Sequence, residues 1–398
     1  MTLRVVFFAL HVRQNKKIKG VIIMMTVVNR LTSLLVAVFI IVFAMPAVGM
    51  SYDINEKLSV EGTLTGVYQY GDFDIRGVDD ADRGAVVFDL GVNLHPTDID
   101  EFQVTLSYAA GNGLNGVNPF SLTPFADDLE DDLKDINGRN RDYLLEAWYS
   151  HSFQFSETVA LSATGGIIDS TAYIDDNNFA NCECSQFMNE AFVNHRNVNL
   201  PSYDLGGVVE LNVSDFSIRA LAMNTKSESG EDGFTNYNYF ALQGGYRLNT
   251  ALGEGNYRLY GFTTNKRFQC PEEGKKDNLQ GFGISADQKL GNIVGVFVRT
   301  SWQDDAAVVD HDTIYSGGIN INGNLWGRED DEIGIGYAYL NGACASDIDY
   351  SAAFETYAKF KVSTFNDVTL DVQYLKDTMK ESDDRDGFIY GIRMNAYF

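Results

Sequence analysis

Several groups of residues in this chain have types suited to chemistry. Cys182 and Cys184 stand one residue apart, with Cys270 and Cys344 far along the sequence. His311 lies between Asp310 and Asp312, a setting in which a carboxylate can orient an imidazole base. Asp127, Asp128, Glu130, Asp131, Asp132 and Asp135 crowd one stretch, an oxygen-rich run of the kind that attracts divalent cations. Each lacks what would complete it. No nucleophile is placed beside His311, and His95, His151 and His195 are scattered. There is no GxSxG, no phosphate loop and no GxGxxG after a strand. The acidic run lacks EF-hand spacing and reads as a solvated charge run with one helical turn at most. Neither CxxC pairs nor nearby histidines complete a tetrahedral metal set around the cysteines. We expect no metal, no cofactor and no enzymatic activity.

What remains is charge distributed by alternation. In residues 86–94 the apolar positions are Val86, Phe88, Leu90, Val92 and Leu94, with Asp89, Gly91 and Asn93 between them. Phe354, Thr356, Ala358 and Phe360 alternate with Glu355, Tyr357, Lys359 and Lys361. Val368, Leu370, Val372 and Tyr374 alternate with Thr369, Asp371 and Gln373, and 388–398 repeats the pattern around Arg393. Successive side chains on a strand point to opposite faces, so each segment has one apolar and one polar face.

Sixteen such segments can be marked: 57–72, 83–95, 101–110, 141–153, 157–168, 204–213, 215–226, 234–248, 255–266, 278–290, 292–303, 312–323, 331–341, 351–362, 367–376 and 387–398. Most exceed the 5–6 residues usual in soluble strands and match the roughly 9–11 needed to cross a bilayer at a tilt. The expected fold is all-β: a transmembrane antiparallel barrel of about 16 strands with long extracellular loops, one of them folded into the pore. All six prolines (46, 96, 119, 124, 201 and 271) lie outside the segments, as strands bonded on both edges require. Long connections, 111–140 and 169–203, follow odd strands, whereas Ser214 and Gly291 alone follow even ones. A soluble sandwich or propeller is the alternative, but its strands would be shorter and no 40–50-residue repeat is present.

On the barrel reading the polar positions face the lumen, because Arg or Lys facing lipid at mid-depth costs about 2–4 kcal/mol. The predicted pore-lining set is Asp89, Glu146, Glu210, Arg219, Arg247, Arg258, Arg299, Glu355, Lys359, Asp371 and Arg393. Opposed bases and acids there would set a transverse field across the pore. Trp148, Tyr260, Phe297 and Tyr357 share the inward parity, either to stack on solute or to pack beneath an inserted loop. The connection 169–203 is long, rich in Asn and aromatics, and expected to fold inward and narrow the pore. In an oxidising compartment one of Cys182 and Cys184 is expected to pair with Cys270 and the other with Cys344, with three connectivities open.

Composition agrees. The 398 residues include 37 glycines, 26 Phe and 21 Tyr but six prolines, a blend that suits barrel strands. Residues 1–49 carry six bases and no acid, leaving 24 bases against 55 acids, a net of −31, in the remainder. Such a domain repels phosphate backbones, so no nucleic-acid partner is expected. Its acidic loops suit either solubility or cation-bridged packing against lipopolysaccharide. Arg30, the apolar run 34–45 and the small residues Ala47 and Gly49 describe a signal peptide over 1–49, with 1–23 read as a mis-assigned start; an uncleaved anchor is the alternative. The run is too short to span a bilayer as a helix.

The sequence resembles the carbohydrate-selective porin family typified by OprB. The resemblance runs from Gly165, Gly166, Ile167, Ile168 and Asp169 through Tyr173, Asp175, Asn177, Asn181, Gln186 and Phe187 to Pro201 and Gly206. It returns in Asp331, Glu332, Gly334 and Gly336, then Glu355, Tyr357, Gln373, Tyr374, Gly391, Arg393 and the terminal Phe398. It implies an outer-membrane porin of a Gram-negative bacterium, monomeric or trimeric, embedded in lipid bilayer and lipopolysaccharide and passing small sugars by diffusion. General or cation-preferring diffusion, or a barrel displaying acidic loops for adhesion, are the alternatives. The resemblance also implies a constriction loop containing Asp169, Tyr173, Asp175, Asn177, Asn181, Gln186 and Phe187.

Overall fold

The computed structural model describes residues 52–228, 234–272 and 274–398, so the expected signal peptide lies outside the described residues. The alternating segments form β1 (Leu58–Phe73), β2 (Ala81–Thr97), β3 (Asp100–Ala110), β4 (Leu144–Ser156), β5 (Val159–Ile168), β6 (Asp204–Val213), β7 (Phe216–Glu228) and β8 (Phe234–Thr250). They continue as β9 (Gly253–Thr264), β10 (Gln280–Leu290), β11 (Val294–Gln303), β12 (His311–Asn322), β13 (Glu332–Gly342), β14 (Ile348–Ser363), β15 (Asn366–Met379) and β16 (Arg385–Tyr397). Each pairs antiparallel with the next, and β16 returns to β1 from Gly387↔Phe73 to Tyr397↔Thr63. The sheet is therefore a closed cylinder without free barrel edges. A short strand, Tyr52–Asn55, pairs with the start of β1, and Phe268–Gln269 pairs with Lys276–Asp277 in the loop after β9.

Two local departures from the expected strands have clear causes. β4 begins at Leu144 rather than 141, because Tyr143 takes a left-handed φ of 64° and donates its N–H to Leu133 inside the preceding loop. Pro96 falls within β2, contrary to the expectation that no proline would. The register slips between Leu94 and Thr97 there, and a proline at such a bulge removes no ladder hydrogen bond that would otherwise form.

The two faces are inverted relative to a soluble protein. Large apolar side chains face outward, among them Leu205, Phe216, Leu242, Leu259, Val298, Tyr315 and Leu370. Charged side chains are buried inside: Arg299 is 1 % exposed, and Arg393 and Glu355 are 0 % exposed. An apolar exterior around a polar interior is the stable arrangement for a barrel in lipid. One end carries tight connections such as 98–99, 157–158 and 214–215; the other carries 111–143 and 169–203.

Candidate functional site

The pleat register assembles the interior wall. Arg258 lies beside Ser285, Ser285 beside Arg299 and Arg299 beside Ser316, one row across β9–β12. Glu210 faces Arg219, which faces Gln243, in a row across β6–β8. On the other side Glu355 faces Gln373, and Lys359, Thr369 and Arg393 share a row across β14–β16.

The loop 169–203 hangs between these walls. Asp169 opens it by accepting from the Thr171 N–H at 3.0 Å and from Ser202 Oγ at 2.9 Å. Arg219 and Gln243 hold the Tyr173 carbonyl at 3.0 and 3.1 Å. Arg299 is the main clamp. Its Nε meets Asp175 at 3.1 Å, Nη2 donates to the Asp175 carbonyl at 2.8 Å, and Nη1 donates to the Phe192 carbonyl at 2.8 Å. The same guanidinium also donates to the Ala180 carbonyl and to Asn181 Oδ1. Asp175 in turn accepts from the His195 N–H at 2.7 Å. Burial alone would raise the Asp175 carboxyl, but Arg299 and His195 outweigh it and hold it at about 2. Asp176 bridges Arg258 at 2.7 Å and Arg219 at 3.3 Å. Asn177 Nδ2 reaches Ser285 Oγ at 3.2 Å.

The opposite wall holds the returning half of the loop through its backbone. Glu355 accepts the N–H groups of Met188 at 2.6 Å and Asn189 at 3.0 Å. Arg393 donates to the carbonyls of Glu183 and Gln186, Asn395 to that of Cys184 at 2.7 Å, and Lys359 to that of Ser185 at 3.2 Å. Between the walls Phe187 packs against Phe192, Phe297 and Tyr357 with ring centroids 4.9, 5.5 and 5.0 Å apart. This box needs a flat wall: a Cβ on Gly336 would stand 2.8 Å from Phe192 and 3.0 Å from Phe187. Tyr260, Phe297 and Tyr357, each 1 % exposed, pack beneath the inserted loop, and Trp148 is partly buried against the same layer.

A second loop, 111–143, is also inside, which the sequence reading did not expect. Leu114, Phe125 and Leu129 are 0 % exposed and Leu133 is 1 % exposed. Leu133 N–H bonds the Leu129 carbonyl at 3.1 Å, one helical turn. Gln69 and Gln373 donate to the Pro124 carbonyl at 3.0 and 2.8 Å. The expected solvated charge run is divided: Asp131, Asp132 and Asp135 are exposed, whereas Asp127 and Asp128 are half-buried. Burial pushes the Asp128 carboxyl up to about 7 despite a hydrogen bond from Tyr203 Oη. The signal was present in Phe125, Leu129, Leu133 and Ile136, apolar residues at helical spacing hidden among the acids.

The remaining sequence candidates stand elsewhere on the wall, Glu210 and Asp371 beside residues that hold the loops. Asp89 is half-buried on β2, and Glu146 accepts from Thr105 at 3.1 Å on β4. Glu210 pairs with Arg219, Asp371 accepts from Gln373 at 3.0 Å, and Arg247 is exposed near the tight-turn end, 3.6 Å from Asp215. All four cysteines are free thiols in this structure, with none of the expected pairings of Cys182 and Cys184 to Cys270 and Cys344 formed. Cys182 and Cys184 face each other at 3.2 Å instead, because the turn that carries them points both sulfurs to one side. His311 is buried with Nε2 2.9 Å from Ser351 Oγ, and Ser351 donates to Asp377 at 2.6 Å. Asp377 thus serves the serine rather than the imidazole, and it also takes the Ser121 hydroxyl at 2.8 Å, anchoring the 111–143 loop. Sequence reasoning gave no loop-holding role to Asp176, His195, Gln243, Asn189 or Gln373. Gln243 and Gln373 were detectable as polar residues at inward parity; the loop residues were not.

A closed cylinder of long strands, apolar outside and charged within, with loops drawn into its bore, is the architecture of a porin-type channel. The chain belongs to the carbohydrate-selective porin OprB family, whose model matches residues 91–398. An uncharacterized protein of Aquifex aeolicus (strain VF5) is 30 % identical over 299 residues, 74 % of this chain and 82 % of that protein. The high-pH structure of Pseudomonas putida OprB superposes with a TM-score of 0.70 at 15 % identity, covering 87 % of this chain and 95 % of that one. The outer membrane channel DcaP of Acinetobacter baumannii gives 0.53 at 10 % identity, covering 88 % and 99 %. Family and fold are those of outer-membrane channels, not of enzymes.

Proposed function

We propose that this protein lets carbohydrates and other small polar solutes diffuse passively across the outer membrane of a Gram-negative bacterium. The path is the lumen left between the wall and the two inserted loops. The observation that carries the reading is a charged interior wall, with Arg219, Arg258 and Arg299 on β7, β9 and β11 and Glu355, Asp371 and Gln373 on β14 and β15. Such walls offer hydrogen bonds to a hydroxyl-rich solute in place of water while setting a field across the bore. Arg299, Glu355, Asp371 and Gln373, each at most 2 % exposed, are taken up by the loops and by one another, and the partly exposed Arg219 and Arg258 face the path. The adhesion alternative is weakened because much of 111–143, its expected display element, is packed inside.

Liposome swelling with sugars of graded size tests the proposal. Entry of monosaccharides, falling steeply for larger oligosaccharides, is the expected result. Equal rates for sugars and for small cations, with strong cation preference in a KCl gradient, would favour general diffusion instead. No permeability from correctly folded protein would overturn the channel reading.

A further inference from the structure

The pair Cys182 and Cys184 plays no part in the solute path described above. Both thiols are half-buried with their sulfurs 3.2 Å apart. The backbone presenting them is fixed on every side. Gln186 Oε1 accepts the N–H groups of Asn181 at 2.6 Å and Cys182 at 3.2 Å, and the N–H groups of Ser185 and Gln186 return to the Cys182 carbonyl at 3.2 and 2.8 Å. Arg393 holds the carbonyls of Glu183 and Gln186, and Asn395 holds that of Cys184. The braced turn brings both sulfurs to one side, where they can act as a pair of donors.

We propose that Cys182 and Cys184 form a two-coordinate site for a soft monovalent cation of the Cu(I) class, carried on the loop inside the barrel. The choice of metal follows from what surrounds the pair. Among the described residues no group of three His, Cys, Asp or Glu side chains converges as a ligand set, so an ion that demands four donors, such as Zn²⁺, is not served. Thiolates favour Cu(I), Zn and iron–sulfur clusters, and of these the d¹⁰ monovalent ion is the one satisfied by two donors. With thiolate–metal bonds of about 2.3 Å a linear ion holds its sulfurs about 4.6 Å apart, so the pair must open from 3.2 Å as the ion enters. Binding is Cu⁺ plus two thiols giving a bis-thiolate complex and two protons released to solvent, with no change of oxidation state. The complex carries one negative charge, offset by Arg393, which bonds the flanking Glu183 and Gln186 carbonyls, with the Glu183 carboxyl 3.8 Å from Cys184 Sγ on the other side.

The test uses the complete barrel refolded in detergent with Cys270→Ser and Cys344→Ser, so that only this pair can respond. Cu(I) is titrated anaerobically against a chromophoric Cu(I) chelator, with Zn²⁺ as a second probe. One Cu(I) per chain is expected, with affinity at least a hundredfold weaker in Cys182→Ser/Cys184→Ser and more than tenfold weaker in either single variant. Unchanged heat-modifiable mobility on gels shows that each variant is folded. Retention of Cu(I) by the double variant would overturn the proposal. So would equally tight Zn²⁺ binding, or a Cys182–Cys184 disulfide in protein isolated from cell envelopes.

Discussion

Asp175 is where the inserted loop can be released with least damage to the barrel. Its side chain is fully buried, paired with Arg299 at 3.1 Å and bonded to the His195 N–H at 2.7 Å. It also holds a left-handed φ of 64°, a conformation that a non-glycine residue keeps only when its surroundings enforce it. Asp175→Asn preserves shape but leaves the Arg299 guanidinium buried without a counter-charge, which costs about 3–5 kcal/mol. At about 1.4 kcal/mol per tenfold, the ratio of docked to undocked loop falls by roughly two to three and a half powers of ten. The wall ladders are untouched, so the barrel itself should stay folded. Single-channel recording should then show larger or strongly fluctuating conductance, and protease added at the long-loop end should cut within 169–203. Asp175→Leu combined with Arg299→Met removes both charges but also strips the donors from the Asp175, Ala180 and Phe192 carbonyls, so it should not restore docking. Wild-type conductance and wild-type protease resistance in Asp175→Asn would refute the claim that this clamp holds the loop.

The other predictions address separate contacts. Because the Asp175 carboxyl is held down at about 2, its contribution to docking is complete above pH 4 or so and is lost as pH falls toward 2; acid should loosen 169–203, read by conductance between pH 5 and 2. Asp128 has the opposite sign: its carboxyl is raised to about 7, so the docked 111–143 loop favours the protonated form and weakens as pH rises from 4 through 7. Asp128→Asn should flatten that dependence in hydrogen exchange of residues 125–133; an unchanged profile would count against it. Gly336→Val pushes a side chain into Phe187 and Phe192, and should raise conductance without lowering barrel stability. His311→Ala should leave permeability within about twofold and reveal no hydrolytic activity, because its serine partner is committed to Asp377 and Ser121, whereas Asp377→Ala should make 111–143 protease-sensitive by removing three hydrogen-bond acceptances at about 1 kcal/mol each or more.

The wall was legible in the sequence because a strand in lipid has almost no freedom. Each residue faces either hydrocarbon or the interior, so the period-two pattern at Phe354–Glu355–Thr356–Tyr357 states the orientation of every side chain, and a one-residue slip would expose Arg393 or Asp371 to lipid. The loops obey no such period. Asp175 and Asp176 are adjacent and chemically identical, yet one meets Arg299 and the other Arg219 and Arg258, and only the fold of the intervening turn decides which. Similarly, the acids at 127–135 masked the apolar spacing of Leu129, Leu133 and Ile136, because net charge suggested solvent while the alternate faces of one short turn went to different places.

This division has a mechanical consequence. The cylinder is closed by backbone ladders that make no use of the loops, as the unbroken β16–β1 pairing shows. The loops are held by side-chain contacts from the wall, chiefly three arginines on one side and Glu355 with Gln373 on the other. Anchoring from both walls keeps the loop strung across the bore rather than lying on one side of it. A change at either wall therefore alters the bore before it alters the barrel. Glu355→Gln replaces the carboxylate that receives the Met188 and Asn189 N–H groups, so it should free the returning half of the loop while Arg299 still holds the first. Its conductance change should add to that of Asp175→Asn if the two walls act independently, since the residues share no partner. A double variant no different from either single one would mean instead that one clamp already decides whether the loop is seated.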